Sequence, residues 1–384
     1  MMPRVGAEQG VAEICVLDAI PLDRIQDPAG IGTRDAGQTE QRRQLRRDGL
    51  GRAAVESLQH VDRLLQDGRG DNQVHPAGSG GTKQLRRGGR LRGIDYENKL
   101  SSAQVKSALL FAGLYADGKT RIRETVSSRD HTERLFAMAG VSLKREGEWI
   151  EVERVDRLKP SRAEIPGDIS AAAFFIVGAA MKPGSHLVVE KVCLNPTRTG
   201  LLKVLERMGA RLTCQQSQEQ PEPIGSIVVE GRRLHGTRIT KEEIPSLVDE
   251  LPILMTAMAL AEGESLVSGA EELRVKETDR IRSMVQNLNA VGGQLQELPD
   301  GCLIRGVEGF RGGKISSFGD HRTAMSLAIA TLAMEGELVI EDTDCVGTSF
   351  PSFFQEFERL KGLRPIDVKI EEGRLQDELI TDRD

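Results

Sequence analysis

The amino-acid sequence contains a charged segment, RVKETDR at residues 274–280, whose side chains could hold an anion and exchange protons with it. Lys276 and Arg280 stand four residues apart, with Glu277 next to the lysine and Asp279 next to the arginine. On a helix, this spacing places the two cations on one face. Such a charged pattern alone usually marks a solvent-exposed helix face, so a binding role is indicated only if other functional residues lie near it.

Three further polar clusters stand at the predicted starts of apolar helices. They are Ser101, Ser102, Gln104 and Lys106 in LSSAQVKS, Asp249 and Glu250 in LVDELP, and Asp320, His321 and Arg322 in GDHRTAM. Serine and acidic residues are common helix N-caps, and a histidine beside an arginine often has a structural role. However, helix N-termini attract anions, and an arginine can bind a carboxylate or phosphate through two hydrogen bonds. The clusters therefore indicate anionic ligands if they meet in the folded chain.

The chain repeats one αβαβ-like pattern four times, starting near Ser102, Asp168, Asp249 and Asp320. Each copy begins with a helix of small apolar residues, followed by a glycine-containing turn, a strand, a second helix and another strand. The first helix is apolar on nearly all sides, which is typical of a buried helix, whereas the second is amphipathic. One copy cannot bury its own apolar faces, so the copies must pack together. If they pack around an axis, the polar clusters converge on one site.

Length and composition narrow the class of protein. A chain of 384 residues is long enough for two domains. The formal net charge of -6 argues against nucleic-acid binding and favours a small-molecule partner. The five cysteines lack CxxC pairing and are predicted to be reduced thiols. Neither a secretory signal nor an apolar run of about 18 residues is present, so the predicted location is the cytoplasm, without membrane contact.

The two ends of the chain differ from its middle. Residues 1–87 contain no Phe, Tyr or Trp and a single lysine, Lys83. They offer little apolar area to offset the ordering entropy of about 1–2 kcal/mol per residue, so the segment is predicted to be aberrant or disordered. A solvated basic extension and an out-of-frame start are both open explanations. Residues 364–384 are predicted to form a charged, frayed tail.

Together the motifs resemble the EPSP synthase family. SSAQVKSALLFAGLYADG, SRDHTER, GDISAAAFF, RVKETDR, GDHRTAM and SFPSFF occur in the family's order over about residues 88–362, and RVKETDRIRSM is highly specific. The resemblance implies an α/β fold of the inside-out, barrel-like enolpyruvyltransferase type, with repeated units of helices and four-stranded sheets in two domains. On that plan, residues 88–165 are the remaining part of the N-terminal domain and residues 166–363 form the C-terminal domain.

The resemblance also implies a reaction: transfer of the enolpyruvyl (carboxyvinyl) group of phosphoenolpyruvate to the 5-hydroxyl of shikimate 3-phosphate, in the shikimate pathway of aromatic amino acid biosynthesis. It implies a monomer that needs no metal or organic cofactor. By motif match, Asp249 is the base near the 5-hydroxyl, and Lys276 and Glu277 serve proton transfer and charge stabilisation. The implied substrate-binding residues are Arg280, Arg322 and His321 for phosphoenolpyruvate, Ser102, Gln104 and Ser128 for shikimate 3-phosphate, Ala103 where some members have a second serine, and also Asp249 and Lys276.

The family's two earlier repeats are not recognisable between Met1 and Arg87. Apolar residues such as Leu109, Leu110 and Leu114 are therefore predicted to lack partners, and the chain is predicted to have little or no transferase activity. Two alternatives stay open. One is an inactive truncated or frameshifted remnant of this enzyme. The other is UDP-N-acetylglucosamine enolpyruvyltransferase, which shares the fold and donor but fits RVKETDR and SRDHTER less well.

Overall fold

The structure, a computed structural model, describes residues 91–99, 101–159 and 163–362. The predictions for residues 1–87 and 364–384 lie outside the described residues. The helices are α1 (Ala103–Gly113), α2 (His131–Met138), α3 (Ile169–Met181), α4 (Gly200–Arg207), α5 (Leu251–Ala259), α6 (Arg280–Ala290), α7 (His321–Ala330) and α8 (Phe353–Gly362). The strands are β1 (Asp95–Glu97), β2 (Lys119–Arg123), β3 (Leu143–Glu146), β4 (Trp149–Glu153), β5 (His186–Cys193), β6 (Arg211–Gln218), β7 (Ile224–Glu230), β8 (Arg238–Ile239), β9 (Glu264–Val267), β10 (Gln294–Leu298), β11 (Gly301–Arg305), β12 (Phe310–Ser316) and β13 (Met334–Glu341). Within the described residues, no helix combines the length and apolar character needed to cross a membrane.

The repeated unit has six elements rather than four. In the first copy, β1 runs parallel to β2 with α1 between them in sequence, and β3 and β4 follow α2, which gives the sheet order β1-β2-β4-β3. The copy formed by β8, α5, β9, α6, β10 and β11 has the equivalent order β8-β9-β11-β10. The predicted αβαβ-like unit is therefore wrong in its limits, because a strand precedes the buried helix and an antiparallel pair closes the unit.

The other two copies have smaller sheets within the described residues. In one of them, an isolated parallel bridge between Gly167 and Val192 takes the place of the first strand, and the sheet order is β5-β7-β6. In the last copy, β12 pairs in parallel with β13 as a two-stranded sheet. The four-stranded sheet predicted for each unit is thus complete in two of the four copies described.

Among the described residues, the larger of two hydrophobic cores is built around three buried helices. Helices α3, α5 and α7 contact one another, and every residue of α5 is buried. Small residues allow this close approach: a Cβ added at Gly178 of α3 would lie 3.1 Å from Leu332 and 3.2 Å from Ile329. The closing SFPSFF motif packs on the same core, since the rings of Phe350 and Phe175 lie 6.1 Å apart between centroids. Packing these helices side by side brings their polar first residues close together.

The smaller core joins one face of α1 to α2 and to strands β2 and β4. Its buried members are Leu109, Leu110, Leu114, Ile122, Phe136, Val141, Ile150 and Val152. The prediction that Leu109, Leu110 and Leu114 lack partners is wrong, because these residues are 4%, 0% and 4% exposed. The large apolar residues that are exposed in and just after α1 are instead Phe111 and Tyr115, at 51% and 71%. The face of α1 that meets its own sheet is fully packed, whereas the opposite face is turned outward.

Candidate active site

A cleft with a volume of ≈ 320 Å³ is lined by residues from both parts of the chain that carry the two cores. One wall comes from the start of α1 and from the residues before α2. The other comes from the turn before α5, the segment before α6 and the start of α7. The structure places all ten predicted catalytic and substrate-binding residues on its lining: Ser102, Ala103, Gln104, Ser128, Asp249, Lys276, Glu277, Arg280, His321 and Arg322. We call Ser102, Gln104 and Ser128 the serine wall, and Lys276, Arg280 and Arg322 the cationic wall.

Asp249 lies between the two walls, in the short 3-10 turn Val248–Glu250. Its Oδ2 accepts a hydrogen bond from Nη2 of Arg129 at 2.5 Å, and its Oδ1 accepts one from Nη1 of Arg280 at 3.4 Å. Nη1 of Arg322 donates to its carbonyl oxygen at 3.2 Å. Burial alone would raise the pKa of Asp249, but the charges of Arg322 and Arg129 outweigh burial and hold that pKa well below its usual range. The carboxylate is therefore ionised, and it is a weak base while the arginines hold it.

The segment RVKETDR does not form one continuous helix, which corrects the prediction that Lys276 and Arg280 share a helix face. The 3-10 turn Glu271–Val275 ends before the lysine, and α6 begins at Arg280. Asp279 is the N-cap of α6, since its Oδ1 accepts a hydrogen bond from the backbone N–H of Arg282 at 3.0 Å. An N-cap residue has non-helical backbone, so residues 276–279 form a loop along the cleft.

Arg280 connects the RVKETDR and GDHRTAM motifs. Its side chain is 1% exposed, and its Nη2, Nε and Nη1 atoms lie 2.6 Å, 2.9 Å and 3.4 Å from the carboxylates of Glu277, Asp320 and Asp249. A buried cation requires such partners, because the cost of removing it from water is high. Arg280 therefore lines the cleft with a guanidinium that is already engaged in three ion pairs.

Arg322 and Lys276 are the more accessible cations of this wall, with side chains 16% and 22% exposed. Nζ of Lys276 lies 2.5 Å from Oε1 of Glu272. Arg322 follows His321 in the first turn of α7, and Asp320 caps this helix by accepting a hydrogen bond from the backbone N–H of Arg322 at 2.8 Å. Burial lowers the pKa of His321, and the charge of Arg322 lowers it further, so the imidazole is neutral at pH 7.

The serine wall is held by local hydrogen bonds. Ser102 is the N-cap of α1, since its Oγ accepts a hydrogen bond from the backbone N–H of Val105 at 3.4 Å, and it also donates to Oε1 of Gln104 at 3.2 Å. The hydroxyl of Ser128 donates to Oε1 of Glu124 at 2.7 Å. Ser102 therefore both caps α1 and lines the cleft, so the two roles do not exclude each other.

Lys106 and Glu250, which belong to the same sequence clusters, lie beneath the lining of the cleft. Lys106 is 0% exposed, and its Nζ lies 3.1 Å from Glu124 and 2.8 Å from Glu133. Glu250 stands at the N-cap position of α5 but makes no side-chain cap bond among the described residues. It accepts a hydrogen bond from the hydroxyl of Ser170 instead, and burial raises its pKa. Both side chains are therefore buried next to residues of the lining and do not face the cleft themselves.

Sequence reasoning missed several residues of the lining. They are Arg129, Pro245, Val248 and Glu272. Ser101 also lines the cleft; the sequence placed it in a polar cluster but not among the predicted substrate-binding residues. Arg129 matters most, because it bridges the serine wall to Asp249. A signal was available, since this cation follows Ser128 directly in SRDHTER. Its partner could not be inferred, because 120 residues separate the two members of the pair.

Comparison with known proteins identifies the family. The family model of EPSP synthase (3-phosphoshikimate 1-carboxyvinyltransferase) matches residues 71–357, beginning upstream of the region delimited from motifs alone. A 3-phosphoshikimate 1-carboxyvinyltransferase of Alkaliphilus metalliredigens is 46% identical over 278 residues, which cover 71% of this chain and 64% of that protein. One of Carboxydothermus hydrogenoformans is 44% identical over 317 residues, which cover 82% of this chain and 72% of that protein.

Solved structures show the same likeness. A structure of EPSP synthase from Acinetobacter baumannii matches with a TM-score of 0.66 and 41% sequence identity, covering 71% of this chain and 63% of that chain. The predicted fold class is therefore confirmed: this is an α/β protein with the enolpyruvyltransferase fold. The chain belongs to the EPSP synthase family, and it spans 64% of the length of the Alkaliphilus relative.

Proposed function

We propose that the cleft transfers the enolpyruvyl group of phosphoenolpyruvate to the 5-hydroxyl of shikimate 3-phosphate, giving 5-enolpyruvylshikimate 3-phosphate and phosphate. The observation that carries the proposal is the convergence of ten motif residues on one cleft, in which Arg129, Arg280 and Arg322 surround the ionised Asp249. Both substrates are polyanions, so cations must hold them while positioned acids and bases move protons.

In this proposal the cationic wall binds phosphoenolpyruvate. Arg322 and Lys276 are its accessible members, and an arginine can hold a carboxylate or phosphate through two parallel hydrogen bonds. Arg280 contributes a fixed positive charge, since three carboxylates already engage its guanidinium. The neutral imidazole of His321 offers a hydrogen bond beside them without adding charge.

The serine wall binds shikimate 3-phosphate in the same proposal. Ser102, Gln104 and Ser128 supply hydroxyl and amide groups that can bond to sugar-like hydroxyls and phosphate oxygens. Arg129 supplies a positive charge on this side of the cleft, and its ion pair of 2.5 Å places it against Asp249. The acceptor hydroxyl and the donor carbon would therefore face each other across the carboxylate of this aspartate.

Asp249 is proposed as the base that takes the proton of the 5-hydroxyl. Its lowered pKa makes it a weak base in the free protein, but substrate phosphates and carboxylates that bind Arg129 and Arg322 would compensate these charges and raise its basicity. The deprotonated oxygen then forms a bond to C2 of phosphoenolpyruvate as Lys276 or Glu277 gives a proton to C3. Loss of phosphate from C2 and of a proton from C3 restores the double bond on the product.

The proposal includes the domain limits and cellular context predicted from the sequence. The buried members of the smaller core lie between Leu109 and Val152, and those of the larger core begin at Ile169, which supports a boundary near residue 165.

The net charge of -6 and the scattered cysteines support a cytoplasmic protein whose partners are small molecules rather than nucleic acid or a membrane. Family membership supports a monomer.

Calorimetric titration of the purified chain with shikimate 3-phosphate and phosphoenolpyruvate tests the proposal, with phosphate release followed in parallel. Binding is measured first, because the chain spans 64% of the length of the Alkaliphilus relative and is predicted to have little or no turnover. Both ligands are expected to bind, and UDP-N-acetylglucosamine in place of shikimate 3-phosphate is not. If neither ligand binds, or if UDP-N-acetylglucosamine is the better acceptor, the proposal is wrong.

The variant Asp249→Asn separates binding from chemistry. The amide has the size of the carboxylate but cannot take up the hydroxyl proton, so the anionic ligands bind at least as tightly while any phosphate release falls by about 10² to 10⁴. The matched control is Glu264→Gln, which removes one member of an exposed ion pair with Arg305 at 2.7 Å and should behave like the unmodified chain. Phosphate release that survives Asp249→Asn unchanged would rule out this residue as the base.

A further inference from the structure

A buried ionic cluster that the proposed reaction does not use lies beneath the serine wall. Lys106, Glu124 and Glu133 are 0%, 6% and 7% exposed. Nζ of Lys106 lies 3.1 Å from Oε2 of Glu124 and 2.8 Å from Oε1 of Glu133. Burying three ionisable groups is costly, and well-packed apolar residues could fill the same space. A contribution to stability alone therefore does not explain why these three charged residues are buried here.

The carboxylate of Glu124 accepts hydrogen bonds from four donors. Its Oε1 accepts from Nδ2 of Asn98 at 2.8 Å and from the hydroxyl of Ser128 at 2.7 Å. Its Oε2 accepts from Nζ of Lys106 at 3.1 Å and from the backbone N–H of Ser128 at 3.4 Å. An ionised carboxylate has about four lone-pair sites, so these four donors match its full capacity.

Two of the three serine-wall residues depend on this carboxylate. Ser128 bonds to Glu124 through both its backbone and its side chain. Ser102 is connected through Asn98, whose Nδ2 donates to the carbonyl oxygen of Ser102 at 3.0 Å and whose Oδ1 accepts from its backbone N–H at 3.3 Å. Lys106 adds a bond to the carbonyl oxygen of Ser128 at 3.4 Å. One buried carboxylate thus ties together the start of α1 and the residues before α2.

We propose that Glu124 is a positioning residue, which fixes Ser102 and Ser128 relative to each other so that both can bind one phosphorylated, hydroxyl-bearing ligand. This inference rests on the proposed function, in which that ligand is shikimate 3-phosphate. The two serines lie on separate elements, and side chains held only by solvent would have to be ordered when the ligand binds. The ionic cluster orders them in advance, which lowers the entropic cost of binding.

The chain offers a matched control in Glu133. This residue is buried to the same degree and pairs with the same lysine, and its Oε1 also lies 3.2 Å from Arg145. Within the described residues it has no hydrogen bond to Ser102, Ser128 or Asn98. Glu124→Gln and Glu133→Gln therefore each remove one carboxylate from Lys106, but only Glu124→Gln places an amide N–H₂ among the donors that hold the serines.

Hydrogen–deuterium exchange and calorimetry on the full chain test the proposal. Glu124→Gln is expected to speed amide exchange at Ser128 and at residues 102–105 by about tenfold or more, and to weaken shikimate 3-phosphate binding by a similar factor. Glu133→Gln is expected to change both quantities by less than about threefold. Glu124→Asp retains the charge beside Lys106 but is one methylene shorter, so it should fold if Glu124→Gln does not and should give an intermediate effect.

Each outcome decides the question. Equal effects of Glu124→Gln and Glu133→Gln would show that the cluster only compensates Lys106, and unchanged exchange at Ser128 in both Glu124 variants would overturn the positioning role. If the unmodified chain does not bind shikimate 3-phosphate, the proposed function fails, whereas the exchange comparison still accepts or rejects Glu124 as the group that orders the two serines.

Discussion

Replacing Asp249 by asparagine should make the stability of the ligand-free protein depend on anions. The carboxylate lies 2.5 Å from Arg129, 3.4 Å from Arg280 and 3.8 Å from Arg322. Its loss leaves three guanidinium groups close together with one negative charge fewer between them. Removing one partner of a fully buried ion pair costs about 3–5 kcal/mol. The side chains of Asp249 and Arg129 are 16% and 24% exposed, so water offsets part of this, and a loss of about 1–3 kcal/mol is expected.

An added anion should reverse this loss. Inorganic phosphate can occupy the place of the missing carboxylate, and phosphate at about 100 times its dissociation constant stabilises the folded state by about 2.7 kcal/mol. Affinity should rise in Asp249→Asn, since the arginines no longer have an internal competitor. A tenfold gain corresponds to about 1.4 kcal/mol.

Urea unfolding at pH 7 and low ionic strength, with and without inorganic phosphate, measures both effects. The control variant Glu264→Gln lacks one member of an exposed pair and should change stability by about 0–1 kcal/mol, with the phosphate response of the unmodified chain. If Asp249→Asn were as stable as the unmodified chain and bound phosphate no more tightly, then Asp249 would not balance the arginines, and the electrostatic description of the cleft would be refuted.

Three further predictions concern the surroundings of the cleft. The pKa of His321 is lower in the folded than in the unfolded chain, so the unfolded chain binds the proton first as the pH falls below about 6.5. The free energy of unfolding should therefore decrease in that pH window. Urea unfolding at a series of pH values should show a smaller decrease for His321→Gln than for the unmodified chain. Lys106→Met leaves the buried Glu124 without its cation and Glu133 with Arg145 alone, and it should cost about 3–5 kcal/mol in the same assay; a loss below about 1 kcal/mol would contradict the ionic cluster. Leu110→Ala should cost about 2–5 kcal/mol because the side chain is 0% exposed, whereas Phe111→Ala, at a residue that is 51% exposed, should cost clearly less; equal losses would contradict the assigned orientation of α1.

Most of the predicted cleft residues stand in polar clusters at helix starts, where the chemistry is local, whereas Ser128 and Ala103 were named from the family resemblance alone. A serine, an aspartate or an arginine at the start of an apolar helix has few roles, and Ser102, Asp279 and Asp320 do cap helices. The spacing of Lys276 and Arg280 in RVKETDR fits a helix, but Asp279 is itself an N-cap residue, so the helix begins after it and the residues before it are not helical. Periodicity alone could not separate these two explanations.

The first helix of each repeat was predicted to be buried on nearly all sides, and this prediction is wrong for α1, where Phe111 is 51% exposed. The buried helices α3, α5 and α7 consist almost entirely of small and apolar residues, so every direction around them leads into the core. Helix α1 has apolar residues on two faces, and which of these meets its sheet depends on the position of β2 and β4. The packing of Leu110 and the exposure of Phe111 therefore could not be assigned from composition.

The sequence by itself determined the buried and amphipathic helices and most of the groups able to bind a polyanion, because these follow from neighbours within a few residues of each other. Only the tertiary structure decided which arginine pairs with which carboxylate. Arg129 bonds to a carboxylate 120 residues away, and Arg280 reaches carboxylates 31 and 40 residues away. Such pairs form because packed helices and sheets bring their ends together, and the interaction energy of two charges depends on their separation in space rather than along the chain.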